Sequence, residues 1–331
     1  MQSAVQPVTV HASQYPAAVT ADLWAGLRGR AIPGKFHYGT PRQAQKWLEL
    51  HHRYAPSNRD AGCGAAFDAG FAAAIPGVGR GRQIEVVGLC CGDGAKEARL
   101  LAGLLAAGKQ PVYRPGDGSL PLVLAAALAA PAGIAREHIH PWVADLATAD
   151  DLAPAILPAG GTAKRGRLVT CFGTLHNLPV AGIGRRLAAW LRRGDQLLLS
   201  TNLLPAPGDA ATRERIRRQY DNPLTHEWLG LFLADLGIPT SAGAFHTSLE
   251  ACPEGTGLTR VVITFRFARD CGLRLPGATF RFRAGTRLQL FYSYRYTAEA
   301  LAGLLAPHGL KVTGQWQSPS GEEGVFLVRR E

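Results

Sequence analysis

From Gln83 onward, short apolar runs alternate with stretches whose apolar positions recur at helical spacing. The runs predict strands at 84–90, 111–114, 140–144, 167–172 and 195–201. The stretches between them predict helices at 95–107, 119–130, near 150–157 and 180–192. Alternation of this kind predicts a parallel sheet in an α/β fold. Before it, residues 1–80 carry helical stretches broken by Gly and Pro, the clearest running from Pro41 to Tyr54. After Asn202 the alternation stops. Ala210 to Gly237 reads as helix with a break at Pro223, followed by strand-like runs at Phe245–Ser248, Leu258–Arg266 and Arg281–Phe291. Thr297 then caps a predicted helix 298–307, and Gly309–Trp316 with Gly324–Arg329 read as a closing antiparallel pair. The organisation expected is a central sheet domain from 81–202 and 292–331, an N-terminal helical segment 1–80, and an inserted α+β lid or substrate domain over 203–291.

Length and composition narrow the class. A chain of 331 residues with 47% hydrophobic and 18% charged positions can fill one large α/β core with a sizeable appendage, or two domains. No apolar run reaches spanning length, and the start Met1-Gln-Ser-Ala-Val-Gln-Pro7 lacks a basic segment followed by an apolar one. A soluble, cytoplasmic protein, monomeric or homodimeric, is expected. The six cysteines form no Cys-x-x-Cys pair and no His clusters at ligand spacing, so neither a metal site nor a disulfide framework is expected. The formal charge of +11 comes from arginine, and a nucleic-acid partner is one possible cause. Against it, the arginines are spread over several elements, and Arg213-Glu-Arg-Ile-Arg-Arg218 looks like a solvated helix face with i,i+4 pairing. Nucleic acid is therefore not the expected partner.

Candidate chemistry begins at Glu85-Val-Val-Gly-Leu-Cys-Cys-Gly-Asp-Gly-Ala-Lys-Glu97. An apolar strand stops there at two glycines and becomes a helix, which is where open α/β sheets receive nucleotide-like ligands. Gly92 and Gly94 are the first candidates. Gln110-Pro-Val-Tyr-Arg-Pro-Gly-Asp-Gly-Ser119 reads as a second strand ending in Asp117, placed to hold a ribose diol. His140-Pro-Trp-Val-Ala-Asp-Leu146 reads as a third, ending in Asp145. Each signal has a structural alternative: a glycine turn can serve helix packing alone, and Pro-Gly-Asp-Gly is good turn chemistry with no ligand. Cys90 and Cys91 read as small apolar residues against the sheet. In series, one βα unit apart, the three signals resemble class I S-adenosylmethionine (SAM) methyltransferases more than nicotinamide enzymes. A helix followed by an antiparallel hairpin is also how that sheet ends.

Further stretches resemble the histidine-specific SAM-dependent methyltransferase family, known for trimethylating the histidine α-amine in ergothioneine biosynthesis. Pro33-Gly-Lys-Phe-His-Tyr38 is similar to its early Pro-Pro-Lys-aromatic-aromatic-Tyr stretch, and Cys171-Phe-Gly-Thr-Leu-His-Asn-Leu-Pro179 to its Gly-Ser-x-x-Gly-Asn-Leu segment. Tyr220-Asp-Asn222 is similar to a Tyr-Asn-Asp-like stretch, and Ser293-Tyr-Arg-Tyr-Thr297 to Ser-x-Lys-Tyr-Thr. The resemblance spans roughly residues 30–330. It implies a class I, Rossmann-like SAM-methyltransferase fold and nominates Tyr38, Asn177, Tyr220 and Ser293 around the substrate. It also implies cofactor contacts from Gly88, Cys90, Gly92, Gly94, Asp117, Ser119, Asp145, Phe172 and Gly173, with Phe291 and Tyr296 setting specificity. Read without the resemblance, Tyr38 and Tyr220 could be ordinary interface aromatics, Asn177 could cap the turn before Pro179, and Ser293 could continue a strand.

The departures carry information. Where that family has an acid that reads the imidazole, this chain has Phe291, and an apolar ring cannot accept from an imidazole N–H. The glycine motif has Gly88 in place of the usual acid and Cys90 in place of the first Gly. The expected activity is SAM-dependent N-methylation of a small amino acid or derived amine other than histidine. An alternative keeps SAM but lets its own amine close a ring, leaving methylthioadenosine. RNA methylation has little support, because Ser200-Thr-Asn-Leu-Leu-Pro205 is not the box of base-amine methyltransferases.

Overall fold

The computed structural model describes residues 5–55, 57, 60–79, 81–152, 166–206 and 208–331. The helix expected near 150–157 falls mostly outside them. Eight strands form the main sheet: β1 (Thr9–Val10), β2 (Gln83–Leu89), β3 (Gln110–Asp117), β4 (Trp142–Val143), β5 (Gly166–Cys171), β6 (Gln196–Asn202), β12 (Leu310–Gln317) and β13 (Glu323–Arg330). Their spatial order is β1-β4-β3-β2-β5-β6-β13-β12. The first six are mutually parallel, and β13 runs antiparallel to both β6 and β12. Strand order reverses between β2 and β5, which makes the crevice beyond their carboxyl ends the topological switch point. Val86, Val87, Leu168 and Val169 are almost fully buried, as strands covered on both faces require.

Helices α1 (Pro16–Gly29), α2 (Pro41–Tyr54) and α3 (Ala61–Ala74) precede the sheet, α4 (Ala95–Ala106) and α5 (Leu120–Leu128) follow β2 and β3, and α6 (Ile183–Trp190) precedes β6. A capping box opens α2: Thr40 Oγ1 accepts from the Gln43 N–H, Gln43 Oε1 accepts from the Thr40 N–H, both at 3.2 Å, and Pro41 takes the first turn. The cap fixes where α2 starts, and so where Trp47 and His51, one turn apart, face. No helix among the described residues is long and apolar enough to cross a membrane.

A second sheet, antiparallel in order β11-β8-β7, is built from β7 (Gly243–Ala251), β8 (Thr259–Phe267) and β11 (Arg287–Arg295). Helix α7 (Ala210–Tyr220) ends where expected, and α8 (Pro223–Asp235) begins at Pro223, with Asn222 Oδ1 accepting from the Thr225 N–H at 2.9 Å. The strand expected over Arg281–Phe291 is two: β10 (Ala278–Phe282) hairpins with β9 (Cys271–Leu275), and a turn through Gly285 at φ 82° leads into β11. Strand β11 runs unbroken through the boundary expected at 291/292, because its ladder to β8 continues to Arg295. A bulge between Gln289 and Phe291 breaks that register. At the bulge, Gln289 N–H donates to the Arg30 carbonyl and Ile32 N–H to the Gln289 carbonyl, both at 2.9 Å. Helix α9 (Ala298–Leu305) then carries the chain back to the main sheet through β12 and β13. The N-terminal segment thereby joins the second sheet to the switch point.

Candidate active site

The loop after β2 alternates backbone hand. Cys90, Gly92 and Gly94 have φ of 57°, 55° and 74°. Alternation of this kind turns successive N–H groups inward as a concave nest for an electron-rich group. Cys90 is one of two non-glycine residues at positive φ among those described, and a side chain there costs roughly 1–2 kcal/mol. The glycines have separate reasons. A Cβ on Gly92 would lie 3.2 Å from the Trp47 ring, and one on Gly94 would lie 2.7 Å from Ala126 Cα, inside α5. Gly92 thus lets an aromatic lie on the loop, and Gly94 lets α5 approach.

Asp117, at the end of β3, is wired into this loop: Oδ2 accepts from the Gly92 N–H at 3.2 Å and Oδ1 from the Ser119 N–H at 3.0 Å. Burial nevertheless pushes its carboxyl up to about 6, outweighing the backbone donors. Ser119 Oγ donates to the Tyr38 carbonyl at 2.7 Å and accepts from the Leu122 N–H, so it ties the N-terminal segment to this corner. Asp145 faces Lys35 Nζ at 2.9 Å, and Lys35 also pairs with Asp22 at 2.5 Å. A cavity of about 340 Å³ lies over the switch point. Of the cofactor residues expected, Cys90, Gly92, Asp117, Asp145, Phe172 and Gly173 line it. Gly88, Gly94 and Ser119 do not. Gly88 is held mid-strand between Pro115 and Thr170, Gly94 is turned to α5, and Ser119 is fully buried as the α5 cap. The Cys90 and Cys91 thiols are pushed well above the usual range, by burial first and Asp117 next, and stay protonated.

A second cavity, of about 170 Å³, adjoins the first. Tyr38, Trp47, His51, Lys96, Gly173, Asn177 and Phe291 line both, so they form the passage between them. Aromatic rings wall the passage: Tyr38 lies 5.6 Å from Trp47 and 5.3 Å from Trp228, and Phe291 lies 5.9 Å from Tyr220 and 5.8 Å from Trp228. Tyr38 lines open space but has few polar neighbours, and this desolvation, with Asp117 next, pushes its phenol far above the usual range. It is a neutral donor. Asn177 donates its backbone N–H to the Thr174 carbonyl at 2.8 Å, while its Oδ1 is buried with no partner among the described residues. An orphaned buried acceptor costs about 1–3 kcal/mol, which a ligand donor would recover.

At the wall of this cavity a hydrogen-bonded cluster joins three elements: Asn202, Tyr220 and Arg295 line the cavity, while Ser293 is fully buried behind them and lines neither cavity. Tyr220 Oη, at the end of α7, accepts from Asn202 Nδ2 and Arg295 Nη2, both at 3.1 Å, and donates to Ser293 Oγ at 3.3 Å. Phe291, Ser293 and Arg295 share one face of β11, as the period of two requires. Tyr296 follows β11, is fully buried, packs toward Tyr294 at 6.5 Å and lines neither cavity. His176 lines the cavity as a neutral ring. Burial first and the Arg295 charge next lower it to about 3, and its Nδ1 accepts from the Asn202 N–H at 3.2 Å. Sequence reasoning passed over Arg295, Asn202, Trp47 and Lys96. Only Arg295 had a visible signal, two positions beyond Ser293 on the same strand face.

Residues 251–330, which hold Phe291, Ser293 and Arg295, match the family model described as histidine-specific methyltransferase, SAM-dependent. The protein is a SAM-dependent methyltransferase. Its strand order, with the penultimate position in the sheet filled by the antiparallel β13, is that of the class I fold. Solved structures similar in layout include a SAM-dependent methyltransferase from Clostridium acetobutylicum, at 11% identity, TM-score 0.43, covering 86% of this chain and 98% of that one. Magnesium protoporphyrin IX methyltransferase from Synechocystis, with bound S-adenosylhomocysteine, is 12% identical at TM-score 0.46, covering 88% and 95%. A 1,6-didemethyltoxoflavin N1-methyltransferase from Burkholderia thailandensis is 13% identical at TM-score 0.40, covering 88% and 91%. At these values the assignment rests on this chain's own strand order and on the matched segment. No curated protein matches the chain.

Proposed function

We propose that this methyltransferase acts on the nitrogen of a small amino acid or derived amine other than histidine. The observation that carries the reading is Asn177, which lines both cavities where they meet and whose buried Oδ1 has no partner among the described residues. SAM supplies an electrophilic methyl group when bound. The residues present fit it: the nest of Cys90 to Gly94 suits its amino-acid end, Asp117 its ribose diol, and the Asp145 end of the larger cavity its base, with Phe172 and Gly173 beside them.

The chain's remaining tasks are to orient an amine and exclude water. Asn177 Oδ1 accepts one amine N–H and so aims the nitrogen lone pair along the passage toward the larger cavity. Tyr38, kept neutral, donates without competing for the proton. Tyr220 holds the far end of the acceptor, with Ser293 behind it accepting the Tyr220 hydroxyl proton, and Trp47, Trp228 and Phe291 close the passage to solvent. Phe291 supports an acceptor without an imidazole, since it offers no acceptor atom there. Among the described residues Glu323 is the one carboxylate lining the smaller cavity, and its Oε2 already accepts from the Cys63 thiol at 3.3 Å.

The test is to incubate the protein with SAM and pools of free amino acids and resolve the nucleosides by mass. S-adenosylhomocysteine formed only with a pool other than histidine is the expected result. Methylthioadenosine formed from SAM alone would replace methyl transfer with ring closure, and histidine as the best acceptor would overturn the specificity.

A further inference from the structure

Glu97 is a buried acid to which the handling of the acceptor gives no task. It stands in the first turn of α4, is 1% exposed and lines the larger cavity. Side chains on a helix lean toward its N-terminus, so from this turn Glu97 reaches back toward the nest of Cys90 to Gly94. Its Oε1 accepts from Thr170 Oγ1 on β5 at 3.1 Å, and no lysine or arginine among the described residues pairs with it. Lys96, its neighbour in the chain, lies over the Phe67 ring at 5.4 Å instead. Burial raises the Glu97 carboxyl above the usual range, outweighing its own N–H, the Lys96 charge and the Thr170 hydroxyl. A buried carboxylate of this kind is costly unless a cation completes it.

Among the described residues four carboxylates line the larger cavity, and the other three are engaged. Asp145 faces Lys35 and accepts from the Ala147 N–H at 2.9 Å, while Asp117 accepts from the Gly92 and Ser119 N–H groups. Asp93 faces His52 Nε2 at 3.1 Å and accepts from the Ala95 N–H at 3.0 Å. Glu97 alone meets neither a basic side chain nor the N–H of another residue. Gly88 gives this acid a further meaning, because β2 lacks a carboxylate at that position. A Cβ on Gly88 would lie 3.7 Å from Thr170 Oγ1 and 3.4 Å from Cys91 Cβ, both ordinary contacts. A side chain from β2 would therefore start beside the very hydroxyl that Glu97 uses. The carboxylate missing from the strand is brought to the same place from the helix.

We propose that Glu97 binds the ammonium group of SAM's amino-acid end, standing in for the acid that Gly88 replaces. The inference rests on SAM as the cofactor and on its amino-acid end lying at the nest, and it is independent of the acceptor. The two charges of that end have opposite needs. Inward N–H groups suit the carboxylate and repel the ammonium, so the nest answers only one of them. A carboxylate one turn into α4 answers the other, through a charge-assisted hydrogen bond inside a closed cavity. Thr170 is a positioning residue, since its hydroxyl holds one Glu97 oxygen and so orients the carboxylate.

The experiment is calorimetry at pH 8, where the carboxyl is ionised, with three ligands. They are S-adenosylhomocysteine, the same molecule lacking its amino group, and methylthioadenosine, which lacks the whole amino-acid end. The native protein is expected to bind S-adenosylhomocysteine roughly 10- to 100-fold more tightly than the desamino ligand. In Glu97→Gln that preference falls to within about threefold, while the affinities for the desamino ligand and methylthioadenosine stay as in the native protein. A merely structural role for Glu97 would lower all three affinities together. Thr170→Val keeps the side chain's shape, removes the hydroxyl and lowers the preference roughly 3- to 10-fold, so the assignment is tested even where Glu97→Gln does not fold. Equal binding of the amino and desamino ligands by the native protein would overturn the assignment, as would an undiminished preference in either variant. Failure of all three ligands to bind would overturn the cofactor site as a whole, this assignment included. No acceptor enters the measurement, so its failure is distinguishable from that of the amine-methylation reading.

Discussion

Replacing Asn177 by Ala separates a functional residue from a structural cap, because the two roles predict opposite signs of stability change. Among the described residues the Asn177 side chain makes no hydrogen bond through its buried Oδ1, while its backbone N–H already satisfies the turn through Thr174. Deleting the amide removes the desolvation cost of an orphaned acceptor, about 1–3 kcal/mol, and the space it leaves is already cavity. Asn177→Ala is therefore expected to unfold at the same urea concentration as the native protein or higher. Activity moves the other way. Loss of the acceptor that orients the amine is worth about 1–3 kcal/mol at the transition state, or roughly 5- to 150-fold in kcat/KM. The assay pairs urea unfolding of the SAM-free protein with S-adenosylhomocysteine formation. A variant that loses stability and keeps its kcat/KM would refute the orienting role and make Asn177 a cap.

Other expectations follow from particular groups. Burial raises Asp117 to about 6, so its charged form, the one that accepts from a ribose diol, predominates only above that pH. SAM affinity by calorimetry should hold above pH 6 and weaken below it, approaching tenfold per pH unit; an unchanged affinity at pH 5 would count against this contact. In the free protein the same shift has the opposite effect, since a folded-state value above the ordinary 3.8 makes Asp117 favour folding as pH falls through 6 toward 4. Cys90→Gly releases left-handed strain at the cost of backbone freedom, so urea unfolding should show a gain of up to about 1 kcal/mol. Phe291→Glu places an acceptor where the histidine-specific enzymes have an acid; activity on histidine should rise by roughly 10- to 100-fold over the native enzyme, and no rise would mean that Phe291 does not set the acceptor.

The sheet was legible because each strand–helix unit is local, with the glycine loop, Asp117 and Asp145 each falling at the end of its own strand. The antiparallel region was harder. Arg281–Phe291 alternates without a break in composition, and only the Gly285 turn divides it, so β9 and β10 were missed. Positions on one face of β11 could be inferred two at a time, which links Phe291, Ser293 and Arg295. Contacts between distant segments left no local trace. Nothing near Lys35 announces that it pairs with Asp145, and nothing near Trp47 announces that its ring lies on Gly92. Such contacts are made by the path of the N-terminal segment over the switch point, a property of packing rather than of any short stretch of chain.

Charge divides in the same way between local and distant partners. The arginines of α7 are largely spent on neighbouring acids: Arg217 pairs with Glu214 and Asp221, Arg218 with Glu214, and Arg215 with Glu322. Exposed pairs of this kind contribute little to stability, but they show that a run of arginines can be a solvated helix face. Arg295 is the contrary case: like Arg167 it is buried, but where Arg167 pairs with Asp195, Arg295 pairs with no carboxylate among the described residues.

The most direct measurement uses SAM carrying a carbon-13 methyl group, incubated with the protein and a pool of amino acids and followed by NMR. Methylation of a small amino acid or derived amine predicts a new labelled methyl resonance at a shift characteristic of carbon bound to nitrogen, on an acceptor that is not histidine. Label recovered in methylthioadenosine, or left in SAM with every amine supplied, would contradict it.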